Sequence, residues 1–273
     1  MSSKPSDLGG AKTPAKKPYR QILVEEIVEG QHELERPPLG LFLSATSAGL
    51  DIGFSLFLMA VMKTMIDNRL SEPVTRLLMA NMYAVGFIFV ILGRSELFTE
   101  HTTLAVLPLI SGRSTFGSVV RLWVIVYVGN MIGATAFAAL TVLIGPDIGV
   151  IEPSALGYIA GNICRHEPTA ILLSGMLAGW LMGLMSWLVT AARDTISQIV
   201  IVWLIASAIG LARLHHAVVG TVEVLAGVFA NQGISMGDFG RFLGWATLGN
   251  AIGGTVFVAL LKYSHASRGE TAA

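Results

Sequence analysis

Gly129-Asn-Met-Ile-Gly-Ala-Thr-Ala-Phe-Ala-Ala-Leu140 returns as Gly249-Asn-Ala-Ile-Gly-Gly-Thr-Val-Phe-Val-Ala-Leu260, identical at eight of twelve positions at an offset of 120. Arg121 and Arg241 keep that offset. Leu43, Ser44, Ala48, Gly49 and Gly53 recur as Leu173, Ser174, Ala178, Gly179 and Gly183 at an offset of 130. A third pair of segments, described below, repeats in the same order. The chain therefore divides into two halves, 38–145 and 168–262. Gly49 and Gly53, Gly129 and Gly133, and Gly249 and Gly253 stand four residues apart. That spacing puts each pair on one helix face and predicts close helix packing.

The surroundings of the repeat are apolar. Only 13% of the 273 residues are charged, against ~25% in ordinary soluble domains, and mean hydropathy is +0.67. Residues 1–36 hold twelve of the 36 charged residues. The rest of the chain cannot coat a soluble enzyme, and it lacks the basic face of a nucleic-acid binder. Uncharged runs span 77–93, 122–146, 168–192, 195–212 and 242–261, and 39–62 is apolar except for Asp51. About 20 residues cross a bilayer core, so this is an all-α polytopic membrane protein. Ahead of the spans, residues 1–18 read as a disordered basic tail and 19–35 as an amphipathic surface helix, with Ile22, Leu23, Ile27 and Leu34 set among Glu25, Glu26 and Glu29. Pro37 and Pro38 stop it, so 1–37 form a polar head, 38–262 the membrane domain and 263–273 a C-terminal tail. The polar start carries no cleavable signal pattern, and the lone Cys164 allows no intrachain disulfide.

Two segments break the pattern. Residues 77–112 would make a straight helix of about 54 Å, too long for one span. It is interrupted at Arg94-Ser-Glu96-Leu-Phe-Thr-Glu100-His101. Residues 195–231 are interrupted in the same way at Arg213-Leu-His215-His216. Each reads as two half-helices joined by a polar break at membrane depth, where the irregular backbone must be satisfied by protein or by a watery cavity. Each half then holds three spans, with spans 2 and 5 broken. Three is odd, so the second half enters from the opposite side, and the expected solute path lies where the broken helices meet. With the N-terminus inside, eleven Lys and Arg fall in inner segments and five in outer ones. Cytoplasmic N- and C-termini in an inner (plasma) membrane are expected on that count.

Gly93 and the acidic-Leu-Phe-Thr elbow Glu96-Leu97-Phe98-Thr99, with His216 in the second break after an apolar run, resemble the formate/nitrite transporter family. The resemblance covers residues 25–262. It implies an aquaporin-like architecture, a homopentamer with one pore per protomer, and passage of small monovalent anions or their conjugate acids. By position it implies an apolar constriction at Phe98, Phe87 and Ile209 beside Leu97, with Thr99 hydrogen-bonded near His216. The chain departs from the family's usual pattern at several places. Arg94 replaces a small neutral residue, His215-His216 replaces Glu-His, and Gly220 and Gly179 stand for two Asn. Arg165 is the nearest cation to a vestibule Lys.

An anion entering an apolar constriction needs either a cation beside the path or a proton. Histidine titrates near neutrality, so His216 is the expected mediator of protonation, with protons as possible co-substrates. Arg94 and Arg213 have two readings: ion pairing with Asp51 and with Glu96 or Glu223, or contact between one Arg and the anion. His215 belongs to the same candidate path. Glu100, His101, His215, His216 and Glu223 show no metal-ligand spacing, and neither metal nor cofactor is expected. No nucleophile motif of an intramembrane enzyme occurs, and the Asn-Pro-Ala signatures of aquaporins are absent. A neutral small-solute channel and a transport-dead regulator that keeps the fold are the alternatives.

Overall fold

Pro37 and Pro38 divide the polar head from the spans. In the computed structural model, which describes residues 16–67 and 69–268, helix α1 (Tyr19–Glu35) ends just before them. Most of the expected basic tail, 1–15, and the last residues, 269–273, lie outside the described residues. The apolar stripe of α1 is buried through Ile22, Leu23, Ile27 and Leu34. Pro38 then opens α2 (Pro38–Asp51), where its missing N–H costs nothing. Ile52 keeps a helical backbone and leads into α3 (Gly53–Ile66), so the two helices make one 29-residue span.

The second span is α4 (Glu72–Gly93), followed by the short helices α5 (Phe98–Leu104) and α6 (Val106–Ile110). The third is α7 (Phe116–Asp147), opened by a Thr115–Ser118 capping box. Helix α8 (Pro153–Cys164) joins the halves and was not foreseen; its 12 residues are too short to cross. The fourth and fifth spans are α9 (Pro168–Ala191) and α10 (Thr195–Ala212), and α11 (Ala217–Phe229) continues the latter beyond its break. Helix α12 (Met236–Ile252) widens into a π-helical stretch, Gly253–Leu260, and continues as α13 (Leu261–Arg268). The helix of this last span runs to His265, past the boundary expected at 262. Among the described residues, six helices are long and apolar enough to cross a membrane, and the second and fifth are broken, as the sequence predicts.

The repeated glycines bring backbones together. A Cβ on Gly133 would strike the Thr46 carbonyl and the Leu50 amide of the first span. In the second half a Cβ on Gly253 would strike the Met176 carbonyl, and one on Gly179 the Asn250 carbonyl. So α2 packs on α7 as α9 packs on α12, in backbone contact that larger side chains would prevent. Between these pairs lie α4 and α10, running antiparallel. Trp203 Nε1 donates to Asn81 Oδ1 at 3.0 Å, and Arg76 Nε donates to the Leu211 carbonyl at 2.6 Å. The π-helical stretch sits where α5 docks. Thr103 Oγ1 donates to the Gly254 carbonyl at 3.0 Å, and Thr255 Oγ1 to the Thr102 carbonyl at 2.9 Å.

Candidate functional site

The two breaks share one backbone conformation. Arg94 ends α4 with φ 53°, and Arg213 ends α10 with φ 51°. The left-handed region costs an L-residue about 1 kcal/mol. Each turn recovers part of this by closing the preceding helix in a Schellman-like way. Ser95 N–H reaches the Val90 carbonyl at 3.1 Å, and Leu214 N–H the Ile209 carbonyl at 3.0 Å. The chain then runs extended through Leu97 and through His216, and a new helix starts in each half.

The repeated Asn satisfies the broken backbone. Asn130 Oδ1 accepts the Phe98 N–H at 2.8 Å, while its Nδ2 donates to the carbonyls of Ala45 and Glu96, both at 2.8 Å. Asn250 Oδ1 accepts the Ala217 N–H at 2.8 Å, and its Nδ2 donates to Gly175 at 2.9 Å and His215 at 2.8 Å. Both Asn side chains are fully buried. Ser44 Oγ accepts the Glu96 N–H at 3.3 Å, and Ser174 Oγ the His215 N–H at 3.2 Å. Sequence reading found these four positions as parts of the repeat but gave them no role of their own. The clue was that the Asn offset, 120, nearly equals the 119-residue offset between the two breaks.

At the centre the breaks meet. His216 Nε2 lies 2.8 Å from Thr99 Oγ1, and its Nδ1 accepts the Val219 N–H at 3.3 Å, capping α11. An Nδ1 that accepts a backbone N–H carries no proton, so the neutral ring holds its proton on Nε2 and donates it to Thr99. Phe87 stands edge-on to His216 with ring centroids 5.2 Å apart. Phe87, Ile209, Leu97 and Thr99 have no exposed surface. Phe98 is also buried, but its ring rests on Trp123 and Tyr127 of α7, at 5.9 and 4.9 Å.

The remaining candidates fall elsewhere. Neighbouring residues in an extended segment point to opposite sides. His215 therefore turns away from Thr99 and ties the break to α8 and α9, through Ile163 O at 3.0 Å and Ser174 Oγ at 2.8 Å. The expected Arg pairs with Asp51, Glu96 and Glu223 do not form. Glu96 instead pairs with Arg36 and with His101, and Arg36 also holds Glu33 at 2.6 Å. Antiparallel packing sets the end of α10 beside the start of α4, so Arg213 meets Glu72 at 2.8 Å, Tyr158 Oη at 2.8 Å and Asn162 Oδ1 at 3.0 Å. Asp51 accepts from Ser47 at 3.3 Å and from Ser95 at 3.5 Å. Arg94 is exposed and makes no ion pair among the described residues. Glu223 is 4% exposed. It lines a recess of about 40 Å³ with Arg76, Tyr83, Tyr158, Asn162 and Arg213. No group of three or more candidate metal ligands occurs among the described residues.

Six spans, two of them broken at a buried polar junction, define a membrane channel or transporter rather than an enzyme. The chain belongs to the formate/nitrite transporter family, whose family model, described as "Formate/nitrite transporter", matches residues 20–264. It is 35% identical to Inner membrane protein YfdC of Escherichia coli (strain K12) over 252 residues, 90% of this chain and 79% of that protein. It is 26% identical to Nitrite transporter NirC of Salmonella typhimurium over 227 residues, 82% of each chain. A solved structure described as "Pentameric formate channel with formate bound" shares the fold with TM-score 0.72 at 22% identity, covering 83% of this chain and 96% of that one.

Proposed function

We propose that the protein carries small monovalent anions of the formate and nitrite class, and that they pass the Phe87–Ile209 constriction as their conjugate acids. The observation that carries this reading is the hydrogen bond between Thr99 and His216, which joins the two breaks inside a fully apolar surround. A bare anion there would lose its hydration without a countercharge, at a cost of several kcal/mol or more. A neutral acid of three heavy atoms meets no such barrier, and it finds one hydroxyl to bond. With Nε2–H donated to Thr99, the Thr99 O–H is free to point at the solute oxygen. His216 thus assists the protonated solute by fixing and polarising that donor.

The names of the relatives support nitrite and formate as the solutes to try first. They also support placement in an inner membrane and assembly as a homopentamer. The charge distribution supports cytoplasmic termini. Purified protein in liposomes, assayed by stopped flow against formate, nitrite, acetate, lactate and hydrosulfide, tests the reading. Formate or nitrite flux that rises as pH falls is expected, with His216→Asn slowing it. Silence toward all five solutes from a correctly folded protein would overturn it, and a wild-type rate in His216→Asn would remove His216 from the mechanism.

A further inference from the structure

His216 cannot itself be the acid that loads the solute. Its only proton in the neutral ring is on Nε2, and giving that up would leave an imidazolate. A second proton on Nδ1 would break the bond to the Val219 N–H and set a positive charge against the positive end of α11. The proton has to come from another group.

The recess on the far side from α1 offers one. Helix α1 docks at the end of α9, through Ser186 and Thr190, whereas the recess lies by α8, at the start of α9. Glu223 lies within it, 4% exposed, and makes no hydrogen bond or ion pair among the described residues. An ionised carboxylate left in that state would be costly, so this side chain needs a proton or a visiting partner. The two cations of the recess differ. Arg213 has spent its guanidinium on Glu72, Tyr158 and Asn162. Arg76 uses only Nε, on the Leu211 carbonyl, and its two terminal nitrogens have no partner among the described residues. A guanidinium edge held by its Nε and open at its end matches the two oxygens of a carboxylate or nitrite. Two guanidinium groups in one recess also disfavour a metal cation as the visitor.

The other groups facing the recess are few. Tyr83 comes from α4 and Tyr158 from α8, while α3 and α10 contribute apolar Met59 and Ile209. Tyr83 touches Phe87 at 5.3 Å between centroids, and Phe87 touches His216 at 5.2 Å, so a line of rings leads from the recess to the central junction.

We propose that this recess is an anion-loading site, in which Arg76 takes the small oxyanion and Glu223 gives it the proton with which it passes Phe87. The O–H bond of Glu223 breaks and an O–H bond forms on the solute. The bonding pair stays on the Glu223 carboxylate, which regains a proton from hydronium in the water of the recess. This step rests on passage of the solute as its conjugate acid.

Two readouts on the full-length protein test it. In proteoliposomes, Glu223→Gln is expected to slow formate uptake by about a hundredfold, the usual worth of a positioned acid, and to flatten its pH profile. Glu223→Asp is expected to restore the pH dependence. Arg76→Gln is expected to raise the KM for formate about tenfold, with the maximal rate kept. In infrared difference spectra, formate is expected to perturb a protonated-carboxyl C=O stretch that Glu223→Gln lacks. Wild-type uptake and pH profile in Glu223→Gln, an unchanged KM in Arg76→Gln, or no formate-sensitive carboxyl band would each overturn the loading site. A formate-sensitive band lost in Glu223→Gln, in a protein that moves neither formate nor nitrite, would uphold the site and overturn the transport reading instead. Flux without that band would do the reverse.

Discussion

Replacing Asn250 with Leu should unlock the second break while keeping the heavy-atom branching of the side chain. Asn250 is fully buried and holds three backbone groups: the Ala217 N–H and the carbonyls of His215 and Gly175. Gly175 lies inside α9, so its carbonyl keeps its helical partner when the amide is gone. The other two groups belong to the break and have no such reserve. Each buried backbone group left unpaired costs about 1–3 kcal/mol, so the substitution should cost about 4 kcal/mol, a large share of the ~5–15 kcal/mol that holds a typical protein folded. Hydrogen exchange followed by mass spectrometry reads this locally. If the break opens without global unfolding, the Ala217 amide should exchange about a thousandfold faster, since each 1.4 kcal/mol is tenfold. Asn250→Asp keeps the acceptor for Ala217 but sets a carboxylate oxygen against two carbonyls, so it should be no better than Leu. Asn130→Leu should have the same effect on the Phe98 amide, because its three bonds have the same partners in the first half. Retention of wild-type protection at Ala217 in Asn250→Leu, with stability within about 1 kcal/mol, would refute the clamp.

Two further expectations concern the head and the helix pairs. Burial, partly offset by hydrogen bonds from Thr190 at 2.7 Å and Ser186 at 3.1 Å, pushes the Glu26 carboxyl up from 4.5 to about 7. The docked helix α1 therefore holds a proton that the undocked one releases, so docking should be tightest below pH ~4.5 and weaken by about 3 kcal/mol as pH rises through 7. Exchange protection of α1 measured between pH 5 and 8 should show that slope, and Glu26→Gln should abolish it; the same slope in the variant would exclude Glu26 as its source. Gly133→Ala places a methyl against the Thr46 carbonyl and Leu50 amide and should cost about 2–3 kcal/mol in thermal or denaturant unfolding. Gly240→Ala, with nothing within 4 Å of the added carbon, should be neutral or slightly stabilising.

The spans and their breaks were legible because each has a physical signature that needs no partner: length, hydropathy and an interrupting charge. The pairing of charges was not legible. Glu96 is two residues from Arg94, and Glu223 ten from Arg213, yet Arg36 takes the first and no described residue takes the second. Those outcomes depend on which helix ends lie side by side. The antiparallel crossing of α4 and α10 puts Glu72 within reach of Arg213 across 141 residues. Arg76 was read only as a loop charge for orientation, since nothing local shows that its Nε would be pinned to the Leu211 carbonyl. Helix α8 was missed because its 12 residues are too few to stand out as a span and its Pro153 and Gly157 read as turn signals. Asn130 and Asn250 were the nearest miss. Their repetition was plain, but a buried amide and a packing residue look alike until the unpaired backbone opposite is counted.

The two breaks have one backbone and two chemistries. At matching positions the first break carries Glu96, Leu97 and Thr99, and the second carries His215, His216 and Val218. Only the second uses a side chain to cap its helix, His216 to Val219, and only the first presents a hydroxyl, Thr99. Neither half could make the central hydrogen bond with a copy of itself. A duplicated scaffold that needed only to span the membrane would have no use for this division, because the Asn and Ser contacts common to both breaks satisfy their backbone equally. The difference extends to the two mouths. Near α1 the break meets carboxylates held by Arg36, with Glu33 and Glu96 on one guanidinium. At the recess the break itself supplies Arg213, and Arg76 adds a second cation with open nitrogens. On the proposed reading an anion meets an open guanidinium at one mouth and already paired acids at the other. The symmetric backbone accounts for the fold, and the side chains that break its symmetry are where the chemistry of passage resides.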